Sequence, residues 1–223
     1  MTSIIVIGTS HIAQQSVKEI KNAIIIHKPT IIAVELDAKR LHALLSKQKS
    51  RIHLNDITRI GVKGFLFALI GSYVQKKLGK MVGTAPGSDM LQAAKLAHSN
   101  GILLALIDQD IEITLKRFSK YLSWKERGRF LIDIFRGIFF KKSEMKRYGL
   151  DKLDLTRVPE EELIRKLIAP IKKRYPNVYK VIIDERNQYM TTQLRKLAQE
   201  HPEAVILAVV GAGHKEAIEK ATK

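Results

Sequence analysis

Two of the seven histidines share a setting. "IIVIGTSH" and "AVILAVVGAGH" are apolar runs that end in Gly-x-x-His, which puts His11 and His214 just past two strands. The run "TIIAVEL" delivers Glu35 at its end, and "ILLALI" delivers Asp108. Ligands of open α/β sheets bind beyond the carboxyl ends of the strands, so four ionisable side chains there form a constellation. Neutral imidazoles with carboxylates, in a chain that has no cysteine, suit Mn²⁺, Co²⁺, Zn²⁺ or Fe²⁺. Each residue alone is ordinary. A strand-end histidine is most often hydrogen-bonded and structural, and Glu35 and Asp108 have the type to cap helices, as Asp37 does. The glycine before each histidine is read as freedom for the chain to leave its strand sharply. His27, His42, His53, His98 and His201 fall in helical or loop segments and carry no such pattern.

A fifth feature lies in "VYKVIIDERNQYMTTQLRKLAQE". Ile183, Met190, Leu194 and Leu197 make one helical stripe, and Arg186 and Asn187 fall inside it. An arginine aimed at a core needs a partner, because an unpaired buried charge is very costly. The strand-end carboxylates or a substrate oxyanion are the candidates. Glu185, beside the stripe, is a candidate second acid. Asp108, Arg40 and Asp89 are candidates for groups that support and orient the site.

These residues need elements to hold them. "SVKEIKNAIIIHK" starts with Ser16 and Glu19 at capping-box spacing. Asp37 caps "AKRLHALLSK"; Ser88 is expected to cap "DMLQAAKLAHS", and Asn100-Gly101 suits its left-handed stop. Continuous apolar strands separated by helices predict an α/β fold, with a central parallel or mixed sheet covered by helices. One domain over residues 1–223 is expected, with helical insertions at about 50–85 and 116–176, the second of them basic. In that second insertion Pro159 and the acids after it suit a helix N-terminus in "PEEELIRKLI". "GAGHKE" lacks the third glycine and the following chain of a dinucleotide-binding unit.

Composition narrows the partners. There are 39 Lys and Arg against 22 Asp and Glu, a net charge of +17, which attracts anionic lipid, nucleic acid or acidic substrates without bearing on fold. From Lys116 to Arg147 there are 11 Lys or Arg against 3 acids, interleaved with Phe118, Tyr121, Trp124, Phe130, Phe135, Phe139 and Phe140. This is an amphipathic pattern that suits a solvated charged face or an anionic membrane surface. Specific nucleic-acid binding is not expected, since no zinc finger, RNA-binding signature or basic zipper is present. The first residues run straight into a strand without the basic start of a signal peptide. The longest apolar stretch, "GFLFALIGSYV", falls short of the roughly 20 residues a spanning helix needs. A cytoplasmic, or membrane-associated, protein is the expectation, with the oligomeric state open and a homodimer among the alternatives.

The motifs "VIGTSHIAQQSVKEI", "TIIAVELDAKRLHALL", "DMLQAAKLA", "ALIDQDIEITLKR", "DERNQYM" and "VVGAGH" resemble, in order, those of the TraB/PrgY family. That family is related to the TIKI and GumN-like proteins and, distantly, to the erythromycin esterases. The resemblance implies a metal-dependent, peptidase-like fold with His11, His214 and Glu35 at the metal and Arg186 close by. It also implies peptide substrates, and Mn²⁺ or Co²⁺ as the expected ion. On this reading Glu35 is a third ligand or the general base, Arg186 stabilises an oxyanion, and Glu185 and Asn187 assist. Two departures stand out. Gln109 occupies the middle of "DQD" where the family pattern suggests "DRD", and the C-terminal membrane spans of many microbial relatives are not in this sequence. The rival expectation is a non-catalytic peptide binder, or a protein that docks on a membrane surface.

Overall fold

The computed structural model describes residues 2–9, 14–46, 57–58, 61–62, 65, 87–139 and 161–223. In chain order the elements are β1 (Ser3–Thr9), α1 (Gln14–His27), β2 (Ile31–Val34), α2 (Ala38–Leu45) and α3 (Ser88–Ser99). Then come β3 (Leu103–Leu106), α4 (Ile111–Tyr121), α5 (Trp124–Phe139) and α6 (Glu161–Arg174). The short α7 (Pro176–Tyr179), a π-helical turn over Lys180–Asp184, α8 (Glu185–Glu200), β4 (Val205–Gly211) and α9 (Ala212–Thr222) complete the chain.

The four strands form one sheet in the order β1-β4-β2-β3. Every pairing is parallel, so of the two expected sheet types the parallel one is found. Alternation along β4 shows how the sheet is buried on both sides. Ile206, Ala208 and Val210 pack with Met190 and Leu194 of α8 and Ile218 of α9. Leu207 and Val209 face the other way, onto Ile20 and Ala23 of α1 and Met90, Ala93 and Ala97 of α3. The result is a three-layer sandwich of helix, sheet and helix, the packing that continuous apolar strands require. A smaller cluster of Phe118, Leu122 and Val181 ties α4 to the π-helical turn.

Local signals fared unevenly. Asp37 caps α2, accepting a hydrogen bond from the Arg40 N–H, and Asn100 with left-handed Gly101 ends α3. Ser16 is no cap: α1 begins at Gln14, so Ser16 is buried in its first turn, and Glu19 takes a bond from the Gln15 side chain instead. Ser88 is the first residue of α3, and the cap position belongs to Gly87, whose φ of 77° is left-handed. Gly8 has a different purpose from the one expected. It lies within β1, and a Cβ there would stand 3.0 Å from Lys215 Cδ and 3.3 Å from Ala212 Cα. Its lack of a side chain lets α9 close onto β1. The expected helical segment over 50–85 and Pro159 lie outside the described residues, apart from a few isolated positions. The basic insertion is helical where described, but its aromatic residues divide: Phe118 is buried, whereas Trp124 is 81% exposed. Among the described residues, no helix is long and apolar enough to cross a membrane.

Candidate functional site

The sheet register places the carboxyl ends of β4, β2 and β3 side by side. Val34 pairs with both Val209 and Leu106, and the ladder runs on through the Glu35 N–H to Val209 O at 3.0 Å. Glu35 and Asp108 therefore emerge at the same edge, both almost fully buried. The two helices that pack on this face add the rest. α8 contributes Arg186 and Asn187, and α9 contributes His214 in its first turn, after the strand end proper.

Arg186 is the hub. Its Nε donates to Asp108 Oδ1 at 3.0 Å and its Nη2 to Asp108 Oδ2 at 2.8 Å. The same Nη2 also donates to Glu35 Oε1. Nη1 reaches His214 Nε2 at 3.2 Å and the Ile182 carbonyl at 3.4 Å. All five guanidinium N–H groups thus have a protein acceptor. Burial works against this charge, but Glu35 and Asp108 more than offset it and hold the Arg186 pKa above its ordinary value. The Ile182 carbonyl lies in the π-helical turn, a backbone irregularity often found at functional sites.

The carboxylates are fixed from other directions too. Glu35 Oε2 accepts the Gly211 N–H at 2.6 Å, and Asp108 Oδ1 accepts the Gln109 N–H at 2.8 Å. Arg40, half-exposed, donates through Nη1 to Asp108 Oδ2 at 2.9 Å. Neither acid is a helix cap; that position on α4 belongs to Asp110. Two carboxylates against two guanidiniums leave the group electrically balanced.

The tautomer of His214 follows from its neighbours. A guanidinium can only donate, so Nε2 must accept from Arg186 and the proton resides on Nδ1. Nδ1 lies 2.6 Å from Asn187 Oδ1, which accepts that proton. The Nε2 lone pair is thus aimed at the group, 3.6 Å from Glu35 Oε1. That separation is close to the ligand–ligand edge of about 3.4 Å in a tetrahedron with bonds of about 2.1 Å, and a hydrogen-bonded Nδ1 is usual for metal-binding histidines. The spacing alone is compatible with two ligands of one ion, but both atoms already accept from Arg186. Arg186 stands within hydrogen-bond distance of both, so an ion there requires the guanidinium to draw back. Among the described residues no three His, Asp or Glu side chains are placed to share a metal, and His11 lies outside them.

Of the residues expected at the site, Glu35, Asp108, Arg186, Asn187, Arg40 and His214 come together. Glu185 does not join them: it turns away from the sheet and makes a two-bond ion pair with Arg117, Nε to Oε2 at 2.5 Å and Nη2 to Oε1 at 2.8 Å. Successive residues of a helix point about 100° apart, which separates it from its neighbour Arg186. Asp89 is buried in the first turn of α3 and accepts from the Met90 N–H at 2.9 Å. Gln109 acquires a local role, its amide donating to Thr114 Oγ1 at 3.1 Å. The Gly211 N–H and the Ile182 carbonyl are backbone groups, and no side-chain motif announced them.

A parallel α/β domain that buries a carboxylate–arginine–imidazole group at its strand ends is a defined class of structure, and comparison places it. Residues 1–222 match the model of the TraB/PrgY/gumN family, and the chain belongs to that family. It is 34% identical over 218 residues to an uncharacterized protein of Methanocaldococcus jannaschii, covering 96% of this chain and 52% of that one. It is 26% identical to the TraB domain-containing proteins of Bos taurus and Homo sapiens, covering 96% of this chain and 61% of each. The chain thus spans between about half and three-fifths of the length of these relatives.

Proposed function

We propose that this chain is a metal-dependent hydrolase acting on peptides, with Glu35 and His214 as metal ligands. The carrying observation is His214, with Nδ1 2.6 Å from Asn187 Oδ1 and Nε2 3.6 Å from the buried Glu35 Oε1. His11 is proposed as the further ligand on the strength of the family resemblance, with Mn²⁺ or Co²⁺ as the expected ion. A divalent ion supplies, when bound, a Lewis acid that polarises a carbonyl and lowers the pKa of water to about 7.

The protein groups have separate tasks. Asn187 keeps the Nδ1 proton in place and so keeps Nε2 unprotonated. Gly211 anchors Oε2 of Glu35, and Oε1, held by Arg186, is the oxygen to bind an ion or accept a proton once the guanidinium draws back. Asp108, itself held by Arg40, fixes Arg186 from behind. Arg186 Nη1 makes the longest contacts, 3.2 and 3.4 Å, and is the donor best able to turn to the oxyanion of a tetrahedral intermediate. Peptides are the substrate class the resemblance implies, and the strongly basic chain favours acidic ones.

The test is cleavage of a peptide library, read by mass spectrometry, with Mn²⁺ or Co²⁺ added. Wild type should generate new termini, and His214→Ala and Glu35→Gln should not. Cleavage that survives both substitutions would overturn the site assignment. A second reading, docking on an anionic membrane without catalysis, is favoured by the exposed Trp124 with Arg127 stacked 3.9 Å from its ring centroid.

A further inference from the structure

On the side of α8 away from the sheet, α4, α6, α7 and the π-helical turn enclose an open cleft of about 530 Å³. This is within the usual range for small-ligand sites, about 300–1,000 Å³. Arg117, Lys172 and Lys180 contribute cations, Asp184 and Glu185 contribute acids, and Tyr179 and Gln188 complete the polar lining. Arg117 is already matched by Glu185. Burial and the facing Asp184 push the Tyr179 hydroxyl above its ordinary pKa, so it stays protonated as a donor.

The two lysines are different. Among the described residues neither forms an ion pair. Each ammonium lies near an aromatic ring instead, Lys172 at 4.9 Å from the Tyr179 centroid and Lys180 at 5.7 Å from that of Tyr121. A ring attracts a cation but leaves its charge uncompensated. With Arg117 matched by Glu185 and the Tyr179 hydroxyl turned to Asp184, the lining still carries one more cation than acid, and its ammonium groups are Lys172 and Lys180. The two ammonium groups and the Gln188 amide are donors in a net-positive cleft, the arrangement that phosphate oxygens satisfy.

We propose that this cleft binds a phosphate-bearing anion through Lys172 and Lys180. Its volume exceeds what a single phosphate fills, so a diphosphate or a phosphate monoester of small-metabolite size is the matching class. The same phosphate chemistry is available from a soluble ligand or from a lipid headgroup. The inference is independent of the hydrolase reading, because none of these cations touches Glu35, Asp108, Arg186 or His214.

The test is calorimetric titration of the whole chain with pyrophosphate. Wild type should bind one equivalent saturably, and Lys172→Gln/Lys180→Gln should weaken binding about tenfold or more with no change in melting temperature. Lys18→Gln/Lys21→Gln, which removes the same charge from α1, should have little effect. Equal loss in both double variants, or no saturable binding by wild type, would overturn the proposal by reducing it to the overall basic field. Vesicles of phosphatidylcholine with phosphatidic acid separate the sources. Vesicle binding that falls in the Lys172/Lys180 variant and is competed by pyrophosphate identifies a headgroup. Vesicle binding indifferent to both, alongside lysine-dependent pyrophosphate binding, identifies a soluble ligand.

Discussion

Arg186 and Asp108 meet fork to fork at the end of β3, with Nε on one carboxylate oxygen at 3.0 Å and Nη2 on the other at 2.8 Å. Because Nη2 reaches Glu35 as well, removing the guanidinium leaves two buried carboxylates without their main counter-charge. Arg186→Met should therefore lose about 3–5 kcal/mol of stability in urea unfolding, the scale of a broken buried pair. Arg186→Lys keeps the charge but not the fork. It should remain folded and lose about 10²–10³-fold in hydrolysis if Nη1 serves the oxyanion. A methionine variant as stable as wild type would show that the pairing is not structural, and full activity in the lysine variant would leave Arg186 with a structural role alone.

Asn187 is expected to act only through His214. Asn187→Ala removes the acceptor on Nδ1 and permits the other tautomer, so metal affinity should fall about 10–100-fold while the fold persists. Nitrogen chemical shifts of the imidazole would show the change directly. Unaltered shifts in the variant would mean that Arg186 alone sets the tautomer.

Much of this site could be read from residue types. Glu35 and Asp108 stand where apolar strands stop, and Arg186 breaks an apolar helical stripe, so their meeting needed only a parallel sheet. The direction of Glu185 was not legible, since it depends on Arg117 in another helix, far off in the chain. The π-helical turn leaves no mark in residue types, because one extra residue per turn changes hydrogen bonding more than composition. Gly8 illustrates a right residue with a wrong reason: the close approach of α9 is a tertiary fact. Ser123-x-x-Glu126, by contrast, was legible as a capping box and went unread. Ser123 Oγ accepts the Glu126 N–H while Glu126 Oε2 accepts the Ser123 N–H at 3.0 Å.

That capping box carries a pH dependence. Burial alone would raise the Glu126 pKa, but hydrogen bonds from Asn177 and Ser123 outweigh it and lower it below 4.5. A carboxyl that ionises more readily when folded stabilises the fold above its unfolded pKa, and this is lost as pH falls through the folded value. Urea midpoints should therefore drop below about pH 5 more steeply in wild type than in Glu126→Gln. Parallel curves for the two proteins would contradict the assignment.

The single tryptophan, Trp124, reports on membrane contact. Its 81% exposure beside Arg127 leads us to expect a blue shift in fluorescence with anionic vesicles. The shift should vanish near 1 M salt, where the Debye length is about 3 Å. An equal shift with neutral vesicles would rule out the electrostatic part of this reading.

The most direct measurement is the metal content of protein purified without chelators or a metal-affinity column, then equilibrated with Mn²⁺ or Co²⁺ and desalted. The account predicts about one equivalent of metal in wild type and in Glu185→Gln, and almost none in His214→Ala, because a site that keeps an open position has few ligands to lose. Wild type that retains no metal, or His214→Ala that retains as much as wild type, would contradict it.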